Sequence, residues 1–414
     1  MSKEIAFLEG KPVRTKPYPK WPLFTQKDKD DLSAVLDDGR MASITGPTVK
    51  DFEDKFAEKF DVKYALATAN GVTALHLALS ALKIGPGDEV IVPAHTFIGT
   101  AIPVLMANAI PVFVDVEIDT FNIDPEKIEE AITDKTKAIM PVHLNGLPAE
   151  MDKIKKIAKK NNLFVIEDAC QAHGAYYKEK KIGTLGHIAC FSFFEDKVMT
   201  TGEGGMLVTD NEEYYELARC VRSYGEGLVS NIGDRKYEHM ILGFNYRMGA
   251  LSAALGINQI DRLDEMVEKR NKNAKYLIQN LSGIEGIITP KEFDYVKNSY
   301  YKFVSRIDKK IIGIDLETFI EALKAEGIPA TPRYPKPLPL QKVFKEKCGY
   351  GNTDCPYGCD KYGKEPAFTS GNWPVAEKVG EEAIVLLVHP SVEEDDLKDV
   401  VKSVDKVASY YRGR

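Results

Sequence analysis

A single lysine stands at an unusual position in the sequence. Lys197 follows the apolar, strand-like segment "HIACFSFF" and precedes the glycine-rich segment "TTGEGG". A lysine becomes a nucleophile only when it loses its proton, and burial or a nearby cation lowers its pKa. A lysine at the end of a buried strand meets that requirement. An exposed loop lysine is the alternative, because Glu195 and Asp196 stand directly before it.

Two carboxylates close another apolar segment. Glu167 and Asp168 end "LFVIED", and Gln171 and His173 follow within "ACQAHGA". A carboxylate at the end of a buried strand costs desolvation energy unless a positive group pairs with it. A protonated pyridine nitrogen would be such a group, whereas an arginine partner or a helix cap is the alternative. Gln171 and His173 could line the same cavity.

A strand-to-helix junction is the third feature. The segment "TANGVTAL" places Asn70 and Gly71 between a short strand and a helix that opens at Val72 and Thr73. Gly71 permits close approach of the backbone, and the free N–H groups of a helix start favour a phosphate. A simple turn is the alternative. A phosphorylated aldehyde cofactor with a ring nitrogen and a Schiff-base lysine would need all three features together.

The elements that must position these residues alternate along the chain. From about residue 60 to 210, strand-like segments are interspersed with helical ones. The strand-like segments are "YALATA", "EVIVPA", "IPVFVDV", "KAIMPVHL", "LFVIEDA", "HIACFSFF" and "GGMLVTD". Near-continuous apolar strands that alternate with helices predict an α/β fold, with a mostly parallel, seven-stranded sheet flanked by helices. Open parallel sheets build their sites at the carboxyl ends of the strands.

The rest of the sequence predicts a second, smaller domain. A long helical pattern at about 249–280 leads into strands and amphipathic helices that are typical of a C-terminal α+β domain. An irregular segment rich in Pro, Gly, Tyr and Cys interrupts this part at about 335–374. We therefore expect an N-terminal arm at 1–30, a large domain at 31–265 and a small domain at 266–414.

Composition argues against several function classes. The 414 residues carry a formal net charge of −7, so the basic surface of a nucleic-acid-binding protein is not expected. No segment approaches the roughly 18 apolar residues of a membrane span. The N-terminal segment lacks the apolar core of a signal peptide. These features predict a cytoplasmic protein without a nucleic-acid or membrane partner.

The six cysteines indicate neither disulfides nor a metal site. Cys348, Cys355 and Cys359 cluster in "CGYGNTDCPYGC". Their C-x6-C-x3-C spacing is not a standard zinc pattern, and no histidine is close in sequence. Free thiols are the default in a long chain without a signal peptide. We expect free cysteines and no bound metal.

A set of motifs, in the same order along the chain, resembles the DegT/DnrJ/EryC1/StrS aminotransferases. The motifs are "NGVTALHLAL", "GDEVIVPAHTFIGTA", "VDVEIDTFNID", "PVHLNGLPAEM", "VIEDACQAHGA", "FSFFEDKVMTTGEGGMLVTD" and "GFNYRMGALSAALGINQIDRLD". The resemblance extends from about residue 5 to the C-terminus. It implies the aspartate aminotransferase fold (type I) and an amination of sugars that depends on pyridoxal 5′-phosphate (PLP).

The resemblance also implies a role for each matching residue. Lys197 would form the Schiff base with PLP and then act as the acid and base that moves the proton, while Asp168 would pair with the pyridinium nitrogen. Phe97 would stack on the ring, and Gln171 would approach the ring hydroxyl. The phosphate would be held by Val72, Thr73, Ser192 and Asn245 of the partner subunit, with Gly71 allowing close approach. A shared active site of this kind implies a homodimer.

The implied reaction moves an amino group from glutamate or glutamine to a ketone. The acceptor would be a nucleotide-linked ketohexose or a keto-cyclitol. Arginine is well suited to bind carboxylate or diphosphate groups. The residues that could contact substrate are His95, Arg222, Arg247, Arg333 and Tyr334.

Two other functions are alternatives. A lyase or dehydratase of the same fold would use the same cofactor site, although the dehydratase branch replaces the lysine with histidine. A regulatory protein that retained PLP binding is the second. The sequence departs from the family pattern at Val198 and at the acidic pair Glu195 and Asp196. The segment at 335–374 and the opening "IAFLEGKPVR" resemble the branch that aminates keto-cyclitols.

Overall fold

The computed structural model describes residues 4–227, 237–364 and 366–412. Within these ranges the strands form three sheets. In chain order the strands are β1 (Tyr64–Thr68), β2 (Glu89–Pro93), β3 (Ile110–Val114), β4 (Thr136–Ile139), β5 (Phe164–Asp168), β6 (Tyr176–Tyr177), β7 (Lys180–Lys181), β8 (Ile188–Ser192), β9 (Gly205–Thr209), β10 (Ile287–Ile288), β11 (Val296–Lys297), β12 (Phe303–Ile307), β13 (Thr331–Pro332) and β14 (Ala383–Leu386).

The large sheet contains seven strands in the order β1-β9-β8-β5-β4-β2-β3. Strand β9 runs antiparallel to both of its neighbours, whereas the other pairings are parallel. Each of the seven strand segments expected from the sequence lies in this sheet. The predicted α/β fold with a mostly parallel sheet is therefore confirmed.

Helices cover both faces of the large sheet. The helices are α1 (Gln26–Asp38), α2 (Thr48–Phe60), α3 (Gly71–Ala81), α4 (Ile102–Met106), α5 (Pro125–Ala131), α6 (Met151–Lys160), α7 (Glu212–Arg222), α8 (Ala250–Asp261), α9 (Leu263–Leu281), α10 (Lys309–Ile312), α11 (Leu316–Ala325), α12 (Lys342–Lys345), α13 (Pro374–Glu382) and α14 (Glu394–Arg412). One face packs against α2, α6 and α8, and the other packs against α3, α4 and α7.

Burial on both faces explains why the strands are almost continuously apolar. Successive strand residues point to opposite faces. In β9, Met206 and Val208 belong to the core beneath α2, whereas Leu207 belongs to the core beneath α3. In β5, Val165 and Ile166 divide in the same way. Because both faces need apolar side chains, the alternation of polar and apolar residues seen in half-exposed strands is absent from these two.

A second sheet lies in the C-terminal part of the chain. Its strands are antiparallel and have the order β10-β12-β14-β13, and helices α9, α11 and α14 share its apolar core. The long helical pattern at 249–280 is divided into α8 and α9 at Arg262. The N-terminal arm packs against this part, since Ile5 is buried in the same core and Arg14 lies 2.8 Å from Asp396. The limits 1–30, 31–265 and 266–414 stay a prediction.

The irregular segment at 335–374 packs on the β3 edge of the large sheet. Trp373 donates to the carbonyl oxygen of Phe113 in β3 at 2.9 Å, and Tyr362 donates to Glu89 in β2 at 3.0 Å. The cysteines of the chain are free thiols. In the described ranges, no group of three His, Cys, Asp or Glu residues is arranged to hold a metal ion. None of the helices in these ranges is long and apolar enough to cross a membrane.

Candidate active site

A cavity of about 780 Å³ lies at the carboxyl edge of the large sheet. It collects residues from the ends of β1, β5 and β8 and from the loop that follows β13. Ten of the predicted site residues line it, and these are Gly71, Val72, Thr73, Phe97, Asp168, Gln171, Ser192, Lys197, Arg333 and Tyr334. Residues far apart in the sequence therefore meet where the topology of the sheet predicts a site.

The start of α3 forms one wall of the cavity. Asn70 caps the helix, because its Oδ1 accepts from the Thr73 amide at 2.9 Å and its carbonyl oxygen accepts from the Thr73 hydroxyl at 2.7 Å. The cap uses the Thr73 amide, which was expected to be available for an anion. The amides of Gly71 and Val72 precede it and have no acceptor within the helix.

Gly71 allows the helix start to approach β8 closely. A Cβ atom at this position would lie 2.8 Å from the Ser192 Cβ and 3.0 Å from the Cys170 Sγ. Separations below 3.0 Å force a neighbour to move. The backbone amides of α3 and the Ser192 hydroxyl therefore form a narrow cradle that any larger residue at 71 would obstruct.

The two carboxylates at the end of β5 point to opposite faces of the sheet. Glu167 is fully buried and accepts hydrogen bonds from His143 at 3.1 Å and from the amides of Leu185 at 2.7 Å and Gly186 at 2.6 Å. Burial opposes its ionisation, but these donors hold the pKa of Glu167 below its ordinary value. Glu167 is thus a structural carboxylate, and it does not line the cavity.

Asp168 lines the cavity and is 4% exposed. Its Oδ2 accepts from the Thr100 hydroxyl at 2.8 Å, and its Oδ1 accepts from the Cys170 amide at 3.2 Å. These hydrogen-bond donors are uncharged. The cationic partner that the sequence predicts for this carboxylate is not supplied by them, so a cationic group of a ligand fits the position.

Lys197 follows β8 on a loop that the N-terminal arm covers. Its carbonyl oxygen accepts from the Trp21 indole at 3.2 Å, and its Nζ lies 4.3 Å from the centre of the Tyr301 ring. Burial lowers the pKa of the Lys197 amine below its ordinary value, and Arg333 lowers it further, although nearby acidic groups oppose the shift. The lysine is therefore not an exposed loop residue, which was the alternative.

Arg333 contributes a buried guanidinium to the cavity. Its Nε donates to the Asn145 side chain at 2.7 Å, and its Nη2 donates to the Gln171 side chain at 2.6 Å. Gln171 in turn donates to the Tyr334 hydroxyl at 3.2 Å. The acceptors of Arg333 are neutral amide oxygens. Its charge is thus available to an anionic ligand.

Four predicted site residues lie outside the cavity. Arg222 is buried against Glu53 at 2.7 Å and the Ala67 carbonyl oxygen at 2.8 Å, so its guanidinium is used in an internal ion pair. The Arg247 guanidinium stacks 5.1 Å from the centre of the Tyr224 ring. The predicted substrate contact of Arg222 is therefore corrected to an internal ion pair, whereas that of Arg247 stays a prediction.

The other two residues outside the cavity are His95 and Asn245. His95 is 1% exposed and packs edge-on against Tyr334, with ring centroids 5.6 Å apart. Burial lowers the pKa of His95 to about 3, so the ring is neutral. It packs against a residue of the cavity wall, and its predicted substrate contact stays a prediction. Asn245 is exposed and does not line the cavity of its own chain.

Three of the cavity residues that sequence reasoning missed make contacts with the predicted ones or with each other. Thr100 holds Asp168, and it stands three residues after Phe97 within the motif "GDEVIVPAHTFIGTA", where it was given no role. Asp196 was left as an unexplained departure, and Tyr301 lies about a hundred residues further along the chain. No local pattern connects Tyr301 to the lysine, so only the tertiary structure could place it there.

Comparisons with known proteins identify the family of the chain. The chain matches the DegT/DnrJ/EryC1/StrS aminotransferase family over residues 22–405. It is 35% identical over 415 residues to a putative L-glutamine:3-amino-2,3-dideoxy-scyllo-inosose aminotransferase of Micromonospora echinospora, covering 98% of this chain and 97% of the relative. It is 36% identical over 387 residues to a GDP-perosamine synthase of Caulobacter vibrioides, covering 93% and 96%.

A solved structure has the same fold. The X-ray structure of an aminotransferase from Psychrobacter cryohalolentis is similar with a TM-score of 0.85 and 36% sequence identity, covering 95% of this chain and 100% of that chain. The match extends over nearly the whole chain. The protein therefore belongs to the DegT/DnrJ/EryC1/StrS family and is a PLP-dependent aminotransferase, as its motifs predict.

Proposed function

We propose that this enzyme transfers an amino group from glutamate or glutamine to the ketone of a keto-cyclitol or a nucleotide-linked ketohexose. The observation that carries the proposal is the combination of Lys197, whose pKa burial lowers, with Asp168 in the same cavity. The two relatives support both acceptor classes, since one is named for a cyclitol substrate and the other for a GDP-linked sugar.

The cavity residues would hold PLP with its phosphate at the start of α3 and its ring nitrogen at Asp168. The Gly71 and Val72 amides and the Ser192 hydroxyl would hold the phosphate. Asp168, which has uncharged donors around it, would pair with the protonated ring nitrogen, and Phe97 at the mouth would cover the ring. When bound, the cofactor supplies an aldehyde that carries the amino group and a ring that withdraws electrons.

Lys197 would serve both as the attachment point and as the proton carrier. A lowered pKa increases the neutral fraction of the amine, which is the form that attacks an aldehyde. After release, the same amine can take a proton from the substrate carbon and return it elsewhere. These two tasks require the ammonium and the amine to be close in free energy, and burial favours that balance.

Arg333 would bind the carboxylate of the amino donor. It is 7% exposed, and neutral oxygens hold its guanidinium in place. A guanidinium can take a carboxylate in a bidentate arrangement. The neighbouring Tyr334 ring, 4.1 Å from the Arg333 Cζ, would keep the guanidinium plane oriented.

The surface around Asn245 supports a homodimer with shared active sites. Met240 and Leu242, which precede Asn245, are 71% and 82% exposed. Large apolar side chains that are exposed together are typical of an interface. A second copy that covers them would bring Asn245 of the partner subunit toward the cavity, as the family resemblance implies.

A substrate panel tests the proposal. Protein loaded with PLP would be offered glutamate or glutamine, and then free keto-inositols or nucleotide-linked ketohexoses, with formation of the amine followed by mass spectrometry. We expect amine from one acceptor class. In Arg333→Lys, KM for the donor should rise by about 10- to 100-fold, because the second hydrogen bond to a charged group is lost. Arg219→Lys, on the surface of α7, is the matched control.

Each alternative predicts a different result. A lyase or dehydratase would release product without consuming the amino donor. A regulatory protein would bind PLP and leave both donors unchanged. Either outcome would refute the transfer reaction.

A further inference from the structure

The acidic residue before the catalytic lysine has a defined set of contacts. Both carboxylate oxygens of Asp196 accept from the Tyr301 hydroxyl at 2.8 Å, and Asp196 Oδ2 lies 2.9 Å from the Lys302 Nζ. Its neighbour Glu195 is exposed. The two carboxylates that precede Lys197 therefore differ, since one is directed inward to hold a tyrosine and the other faces solvent.

Tyr301 is itself fixed on several sides. The residue is 6% exposed, and its ring face lies 4.3 Å from the Lys197 Nζ. Arg270, which is buried, donates to the carbonyl oxygens of Tyr300 at 3.3 Å and Tyr301 at 3.2 Å. Burial and the Asp196 carboxylate raise the pKa of Tyr301, so the phenol remains neutral and donates its proton. The ring is therefore held at one position beside the lysine.

We propose that Asp196 and Tyr301 form a positioning pair for Lys197, in which the carboxylate fixes the phenol and the aromatic face holds the protonated nitrogen of the lysine. The inference rests on the proposed function and adds two positioning residues to it. A cation is attracted to an aromatic face, and the attraction increases where water is excluded. The pair would thus stabilise the protonated lysine and keep it within reach of the site.

Other charged groups also face the lysine. Asp168, at the end of β5, acts in the same direction as Asp196, whereas Arg333 acts against them. Burial raises the pKa of the Cys170 thiol well above its ordinary value, so that group is neutral. His173 lies on the same side, and burial lowers its pKa to about 3, so it is neutral. Lys302 and Lys197 hold the pKa of Asp196 below its ordinary value although burial opposes this, so Asp196 is an anion. The net effect of Asp196 on Lys197 is favourable to the ammonium.

Asp196 and Lys302 carry opposite charges, so removing each charge should shift the titration of the lysine nitrogen in the opposite direction. The protein would be loaded with PLP, and the visible absorbance of the Lys197 Schiff base would be titrated with pH. Asp196→Asn removes a negative charge, so the midpoint should fall by about one pH unit. Lys302→Met removes the positive charge that partly neutralises Asp196, so the midpoint should rise. Tyr301→Phe retains the aromatic face and should stay closer to wild type than Tyr301→Leu.

Glu195→Gln is the matched control, because it makes the same charge change one residue away on the exposed side. An equal midpoint shift in Glu195→Gln and Asp196→Asn would overturn the proposal, as would unchanged midpoints in Asp196→Asn and Lys302→Met. Tyr301→Leu could fail to fold because it removes a buried ring. In that case Asp196→Asn and Tyr301→Phe test the proposal, since each introduces a residue of nearly the same size as the native one. A wild type without the Schiff-base absorbance would instead refute the proposed function.

Discussion

Adjacent residues of the same chemical type have different tasks in this protein. Glu167 and Asp168 are both buried, but successive strand residues face opposite sides of the sheet. Glu167 has a histidine and backbone amides as donors, whereas the donors of Asp168 leave room for a cation. The contacts of a carboxylate, and not its burial alone, decide whether it stabilises the fold or serves a ligand.

Substitution of the two carboxylates should separate these tasks. Asp168→Asn removes the charge that would hold the ring nitrogen protonated, so kcat should fall by about 100-fold or more while the protein stays folded. Glu167→Gln disturbs the buried donors, so the free energy of unfolding should fall by about 1–3 kcal/mol. Steady-state kinetics and urea denaturation measure the two effects. A loss of stability without a loss of kcat in Asp168→Asn would contradict the assignment.

At the scale of elements, the site depends on how α3 meets β8. The motif "NGVTAL" predicts the helix start, and the structure places that start at Gly71. Asn70 is a residue type that often caps a helix. Whether its side chain accepts from the Thr73 amide could not be predicted, because that depends on side-chain rotamers that no sequence pattern fixes.

Gly71→Ala tests this junction. The added Cβ would lie 2.8 Å from the Ser192 Cβ, so the helix start and β8 must separate and the phosphate cradle must widen. We expect the affinity for PLP to fall by about tenfold or more, with a smaller loss for a cofactor analogue without phosphate. Gly283→Ala is the matched control, since a Cβ there meets nothing within 4 Å. Fluorescence titration of the apoprotein measures the affinities, and equal affinities in the two variants would refute the cradle.

The sequence could predict the large sheet and half of the cavity lining for a physical reason. The strands are buried on both faces, so they are continuous apolar segments that can be recognised in the sequence. The carboxyl ends of the parallel strands lie at the same edge of the sheet, where a site is expected. Tyr301 comes from the C-terminal part of the chain and carries no local signal. Arg222 was misassigned because an arginine in an internal ion pair and one in a binding site look alike in sequence.

At the scale of the whole molecule, buried neutral histidines link stability to pH. Burial lowers the pKa of His95 and of His173 to about 3. As the pH falls below about 6.5, histidines of the unfolded chain bind protons that the folded chain cannot. Each of these two residues should therefore reduce the free energy of unfolding by about 1.4 kcal/mol per pH unit below 6.5.

Urea denaturation at pH 7 and pH 5 measures this loss. A His95→Asn variant should show a smaller loss between the two pH values than the wild type, because one buried histidine is missing. A free energy of unfolding that stays constant or rises on acidification would contradict the prediction.

The proposed dimer is a property of the whole molecule as well. Leu242→Asp places a charge on the exposed apolar surface next to Asn245, so the dimer should dissociate and PLP should bind more weakly. Ile288→Asp is the matched control, because Ile288 is also exposed and lies in β10, an edge strand of the four-stranded sheet. Light scattering gives the mass. A Leu242→Asp protein that keeps the mass of the wild type would argue against an interface at this surface.

The central claim is that Lys197 joins the cofactor and drives amino transfer. The most direct measurement is the visible absorbance of PLP-loaded protein, in wild type, in Lys197→Ala and in Lys180→Ala as an exposed-lysine control. We predict that wild type and Lys180→Ala show the Schiff-base absorbance, that glutamate or glutamine removes it, and that Lys197→Ala lacks it. Persistence of this absorbance in Lys197→Ala, or a wild-type absorbance that neither donor changes, would contradict the account.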